Sequence, residues 1–283
     1  MMRPVMIAIF FTASAMAIVN QINMTEQYMA LSYMEVNNAP FLPVVSSTPV
    51  SAFDMAVDKS YNVTFAKLPS MLRQKFDVKT WDKTTTGGLT NKDRTLLAKI
   101  YGKANSVFEY GLGESTYIAN HVGVARYAGI DSDAAWVANA RKTVATHFRF
   151  YFADIGETLR WGFPKEKLPK SVLDYQVIPL ISEPQPFDVY MVDGRWRLPC
   201  LLLSFLHAHA RGADPSQTTV LLHDCVKKHL RHKEKERSHY LKVDDLLDLV
   251  EHSGDKLCAY RRKPTTTDEE LYDLWLQNFD VDA

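Results

Sequence analysis

Glu109-Tyr110-Gly111-Leu112-Gly113-Glu114-Ser115-Thr116 follows a β-rich run, Ser106 to Tyr110, and opens a segment of helical character, Thr116 to Val122. Glycines in a strand-to-helix turn let the chain reverse tightly and let its backbone approach a ligand, while the first helical turn offers N–H groups that lack partners. Such a turn is where a Rossmann-like α/β fold binds a nucleotide or nucleoside. A Gly-x-Gly pair alone is a weak signal. Asp131 strengthens it, standing eighteen residues past Gly113 at the end of the next β-rich run, Tyr127-Ala128-Gly129-Ile130-Asp131. That is near the spacing at which a carboxylate accepts hydrogen bonds from ribose hydroxyls. The third glycine of a dinucleotide fingerprint is replaced by Thr116, and an acid, Glu109, precedes the first glycine by two positions. Both departures suit a cofactor that carries cationic groups better than a nicotinamide. The plain alternative is a structural βα turn that binds nothing.

Outward from this turn, β-rich runs recur at Arg126 to Ile130, Phe148 to Phe152, Phe187 to Val192 and Thr218 to Leu222, with helix-compatible segments between most of them. Strands alternating with helices imply βαβ units and a mostly parallel sheet with helices on both faces. Before the turn, Lys92 to Tyr101 reads as a helix with Leu96, Leu97 and Ile100 on one face. After the fifth run, a helix is expected around Lys242 to His252 and a sixth strand at Lys256 to Arg261. The organisation is therefore a leader over 1–20, a stem or linker rich in Pro, Ser and Thr over 21–75, a Rossmann-like domain over 76–263, and an acidic tail over 264–283. In that tail Leu271, Leu274 and Trp275 have helical spacing.

Glu109-x-Gly111-x-Gly113-x-Ser115-Thr116, the Asp131-Ser132-Asp133-x-x-Trp136 stretch and Asp154-Ile155-Gly156 resemble the class I S-adenosylmethionine-dependent methyltransferases. With Trp161-Gly162, Phe187-Asp188-Val189-Tyr190-Met191-Val192-Asp193-Gly194-Arg195-x-Arg197 and His223-Asp224, the resemblance extends to a poorly characterised methyltransferase-like subgroup of bacteria and algae, over roughly Gly87 to Lys263. It implies a seven-stranded sheet, of which six strands are legible. It also implies S-adenosylmethionine as cofactor, with Glu109, Gly111, Gly113 and Ser115 at its methionine half, Asp131 on the ribose, and Asp154 with Ile155 at the adenine. Tyr240, after a charged loop, corresponds to a tyrosine that often closes the subgroup's pocket.

Asp193 follows the fourth strand and His223-Asp224 the fifth, so all three project from the carboxyl edge of the sheet, where open α/β folds bind ligands. They are the catalytic candidates. His223 is a possible general base for an oxygen nucleophile. Alternatively Asp193 and Asp224 hold Mg²⁺ or Mn²⁺, lowering the pKa of an acceptor hydroxyl; a further reading gives His223 a purely structural role, capping a strand end. Arg195 and Arg197 are placed to reach a substrate carboxylate or phosphate.

Lys plus Arg and Asp plus Glu each number 33 in 283 residues. Zero net charge gives no global attraction to nucleic acid, and the run Lys227 to Arg237 mixes both signs, as a solvated loop does. The expected acceptor is a small molecule or a glycan. Pro4 to Val19 carries no charge and follows Arg3, which is the pattern of a signal peptide or, as we read it, an uncleaved signal anchor. Asn23-Met24-Thr25 and Asn62-Val63-Thr64 match the glycosylation pattern, so the catalytic domain is expected in the lumen of the secretory pathway. Cys200, Cys225 and Cys258 form no Cys-x-x-Cys pair and read as buried small apolar residues rather than a disulfide framework. Two other classes compete. Asp131-Ser132-Asp133 is an Asp-x-Asp of the kind that holds the metal of a membrane-anchored nucleotide-sugar glycosyltransferase, and a third reading is a non-catalytic module that keeps the fold to bind a partner.

Overall fold

The structure, a computed structural model, describes residues 74–81, 88–159, 162–166, 169–225 and 242–281. The leader and most of the stem, the charged run Lys227 to Arg237, and Tyr240 lie outside the described residues. No helix among the described residues is long and apolar enough to cross a membrane.

Seven strands form one sheet: β1 Ser106–Tyr110, β2 Arg126–Asp131, β3 Arg149–Phe152, β4 Val189–Val192, β5 Thr219–His223, β6 Leu247–His252 and β7 Leu257–Arg262. Their spatial order is β3-β2-β1-β4-β5-β7-β6. The first five pair in parallel, and β7 runs antiparallel between β5 and β6. The described helices are α1 Asn91–Tyr101, α2 Glu114–His121, α3 Ala134–Thr143, α4 Pro169–Gln176, α5 Ile178–Ile181, α6 Arg197–Ala210 and α7 Asp268–Leu276.

The central strands are buried on both faces, which is why they read as apolar runs rather than as an alternation. Their side chains still alternate between two cores. Phe108, Tyr110, Ile130, Tyr190, Val192 and Leu222 face a layer that contains Val172, Leu201 and Phe205 of α4 and α6, together with Leu271 of α7. Val107, Tyr127, Met191 and Leu221 face Leu97, Ile118 and Val137 of α1, α2 and α3. The acidic tail therefore supplies a helix whose Leu271 is fully buried, and Trp275 Nε1 donates to Gln176 Oε1 at 3.0 Å.

Two expectations fail here. The segment expected to be a helix around Lys242 to His252 contains β6 instead, the strand missing from the sequence reading. Val243, Leu246, Leu247 and Val250 have helical spacing, but β6 is an edge strand on which Leu247 is buried and Asp248, Leu249 and Val250 are exposed, so no period-two pattern marks it. Cys225 and Cys258 are not simply buried apolar residues. They form a disulfide with Cα atoms 6.0 Å apart, while Cys200 is buried and outside the bridge. The antiparallel pairing sets Leu222 opposite Cys258, so the chain leaving β5 passes beside β7, an adjacency that spacing in the sequence does not reveal.

Candidate active site

At the carboxyl ends of β1, β2 and β4 the backbone is drawn tightly together. Gly111 has φ +88°, and a Cβ there would lie 2.8 Å from the Asp193 carbonyl and from Gly194 Cα. Asp193 N–H donates to Tyr110 O, and Gly111 N–H to Ile130 O, both at 2.8 Å. One glycine thus joins the turns after β1 and β4. A Cβ at Gly113 would meet nothing within 4 Å, so the turn is open on that side.

Glu109 points inward from β1 and is fully buried. An isolated carboxylate there would be costly, and four hydroxyls compensate. Tyr101 donates to Oε1 at 2.7 Å, while Tyr127 at 2.5 Å, Thr116 at 2.7 Å and Ser115 at 3.3 Å reach Oε2. Burial, opposed by these hydrogen bonds, pushes its carboxyl up to about 7. Thr116 also accepts from Gly113 N–H at 3.2 Å, which explains a hydroxyl where a dinucleotide fingerprint has glycine. Ser115 and Glu109 therefore brace the turn from behind.

Asp131 ends β2 beside this turn. Its Oδ2 accepts from Leu112 N–H at 2.7 Å and its Oδ1 from Asp133 N–H at 2.8 Å, while burial, the larger influence, raises its carboxyl to about 6. Asp133 caps α3 by accepting from Ala135 N–H at 2.7 Å, so the Asp-x-Asp carboxylates serve the turn and the helix. Asp154 is exposed after β3, with Oδ1 on Gly156 N–H at 2.9 Å, and Ile155 beside it is buried.

Asp193, His223 and Asp224 do come together, their nearest ligating atoms lying within 4.8 Å of one another. His223 Nδ1 is 2.9 Å from Asp193 Oδ1, and Nε2 faces Asp93 Oδ2 of α1 at 4.0 Å. Burial pulls the His223 pKa down, but Asp193 and then Asp224 outweigh it, so the net shift is upward. His223 is 3% exposed, with its ring turned toward α1. That placement suits fixing Asp193 better than reaching an acceptor. Asp224 would be raised by burial, but His223 and Arg197 hold it at about 2.

Arg197 departs from its expected role on a substrate anion. Its Nη1 donates to Asp224 Oδ2 and to His223 O, both at 2.9 Å, its Nη2 lies 3.2 Å from Asp193 Oδ1, and its Nε donates to Gly194 O at 3.1 Å. Arg195 is buried, with its guanidinium 4.0 Å from the centre of the Phe163 ring. A divalent ion between Asp193 and Asp224 would have to share their oxygens with the Arg197 fork, so these residues do not fit the metal reading.

Five supporting residues were not foreseen. Tyr101 and Tyr127 hold Glu109, and Glu114 accepts a two-pronged ion pair from Arg94 at 2.6 and 2.9 Å, with Trp81 Nε1 at 2.9 Å. The only sequence signal for Glu114 is an acid in the first turn of a helix.

The fold is similar to that of a methyltransferase-like protein of Silicibacter pomeroyi: 22% identity, covering 70% of this chain and 99% of that one, with a TM-score of 0.55. The fold is that of the class I methyltransferases. Fainter likenesses are the N-methyltransferase NodS of Bradyrhizobium japonicum (13% identity, 60% of this chain, 93% of that one, TM-score 0.35) and a TehB-like S-adenosylmethionine-dependent methyltransferase of Corynebacterium glutamicum (10%, 74%, 100%, 0.35). No family model and no curated protein matches the sequence. The strand order, with one antiparallel strand between the fifth and sixth, separates this fold from an all-parallel dinucleotide domain.

Proposed function

We propose that this chain is an S-adenosylmethionine-dependent methyltransferase that O-methylates a small molecule or a glycan, with its catalytic domain in the lumen of the secretory pathway. The reading rests on one observation above the others: the Gly111 turn, open at Gly113, lies beside Asp131 at the carboxyl ends of neighbouring strands in a sheet of methyltransferase order. In this reading Asp131 takes the ribose hydroxyls, the turn takes the methionine half, and the Asp154-Ile155 edge borders the adenine. The cofactor supplies an electrophilic methyl group. The chain's task is then to orient an acceptor hydroxyl, for which Asp193 is the hydrogen-bond acceptor at the carboxyl end of β4, held from behind by His223. The Cys225–Cys258 disulfide supports an oxidising compartment. Asp133 as a helix cap leaves the glycosyltransferase reading with little support.

Calorimetric titration tests the cofactor. S-adenosylmethionine should bind the unmutated protein, Gly111→Val should abolish binding through its clash with Asp193 and Gly194, and Asp131→Ala should weaken it roughly 10- to 100-fold, the loss of about 1.5 to 3 kcal/mol of hydrogen bonding to a charged group. Undiminished affinity in both variants would sink the assignment. Binding without methyl transfer to any hydroxyl acceptor would favour the non-catalytic module.

A further inference from the structure

We propose that Arg197 is a built-in cation that takes the place of a divalent metal between Asp193 and Asp224, so that this end of the site works without Mg²⁺ or Mn²⁺. Two carboxylates and an imidazole at the carboxyl edge of a sheet have the spacing and donor types of a metal site. Here a guanidinium lies between the carboxylates. All three of its nitrogens are directed: Nη1 to Asp224 and the His223 carbonyl, Nη2 to Asp193, Nε to the Gly194 carbonyl. The two carbonyls fix the plane of the fork, and the fork then fixes the separation of the carboxylates. Arg197 is 8% exposed, which removes it from the class of long surface cations that pair loosely.

The backbone adopts costly conformations at this place. Trp196 and Asp224 are the two non-glycine residues with positive φ among the described residues, at +47° and +58°. Left-handed backbone at a bulky residue is uncommon and is retained where surrounding structure imposes it. Trp196 is fully buried, and its turn starts α6 so that Arg197, the first residue of that helix, folds back over β4. Asp224 turns toward the same guanidinium, and the disulfide at Cys225 holds the next residue to β7. Lys256 Nζ, 3.7 Å from Asp224 Oδ1, adds a second positive charge from the hairpin. Both left-handed residues thus serve one ion-pair cluster. A dication added there would meet carboxylates that are already neutralised.

Water-proton relaxation with Mn²⁺ reads this directly, without cofactor or acceptor, and so fails or succeeds apart from the methyltransferase reading. The unmutated protein should show no Mn²⁺ binding that Asp224→Asn removes. Arg197→Met, which keeps the length but not the charge, should gain Mn²⁺ affinity by about tenfold or more, and the added Asp224→Asn should erase the gain. Arg197→Lys keeps a cation and should gain none. A merely structural arginine would destabilise the fold on replacement without creating a metal site. An Mn²⁺ site in the unmutated protein that Asp224→Asn abolishes would overturn the proposal even if Arg197→Met does not fold. So would a folded Arg197→Met that binds no more Mn²⁺ than the parent.

Discussion

Glu109 shows how one residue links the fold to the site. Its carboxylate sits among two tyrosines, a threonine and a serine, and burial lifts its pKa from 4.5 to about 7. A group whose folded-state pKa is raised contributes stability that is complete below its unfolded value and lost as pH rises through the folded one. Between pH 4.5 and about 7, ionising Glu109 should therefore lower stability by on the order of 3 kcal/mol. Thermal denaturation across that window should show the unmutated protein losing stability relative to Glu109→Gln, which cannot ionise. Parallel profiles for the two proteins would refute the assignment. Asp224 has the opposite sign: with its pKa held at about 2, its contribution is present above 3.8 and is lost in acid as pH falls through 2. The two windows do not overlap, so the profile separates the turn after β1 from the cluster after β5.

Among elements, the edge strand β6 is the part least legible in the sequence, while its neighbour β7 carries the cysteine that ties down the residue after Asp224. The five parallel strands and the glycine turn could be read because each strand is an apolar or aromatic run bounded by turn residues, and β1, β2, β4 and β5 are buried on both faces. The edge strand could not, since Val243, Leu246, Leu247 and Val250 carry a helical period and its solvent face has no alternation. Asp131, Asp193, His223 and Asp224 could be placed at the carboxyl edge from strand order alone. The direction of Arg197 could not, because it depends on a left-handed turn at Trp196 that no residue-type rule expects at tryptophan. The disulfide was hidden because the pairing joins Cys225 to a residue 33 positions away, through the β5–β7 adjacency. Closing a loop of that length should stabilise by roughly 2 to 4 kcal/mol. Cys258→Ser should lower the denaturant midpoint accordingly and loosen Asp224, read as faster amide exchange at Asp224 and Cys225. An unchanged midpoint and unchanged exchange would show that the hairpin holds without the bridge.

At the scale of the whole molecule, location is the property on which the acceptor depends. A charge-free run from Pro4 to Val19 behind Arg3 would enter the membrane with its positive flank retained on the cytoplasmic side, carrying everything after it into the lumen. The Cys225–Cys258 bridge fits that destination, since thiols in a cytosolic protein are kept reduced. Zero net charge gives no preference for an anionic surface, so anchoring would come from the apolar run rather than from attraction to headgroups. Expressed as the full chain in a eukaryotic secretory host, the protein should sediment with membranes, resist protease until detergent is added, and carry a glycan at Asn62 that Asn62→Gln removes as a single shift in electrophoretic mobility. Thiol alkylation before reduction should leave Cys225 and Cys258 unlabelled, while Cys200 becomes labelled after denaturation. Deleting residues 1–20 should strand the chain in the cytosol, where both bridging cysteines become alkylated and stability falls by the amount that Cys258→Ser costs. A full-length chain that is protease-accessible, unglycosylated and fully alkylated would reverse the topology. The acceptors to assay would then be cytosolic small molecules rather than glycans.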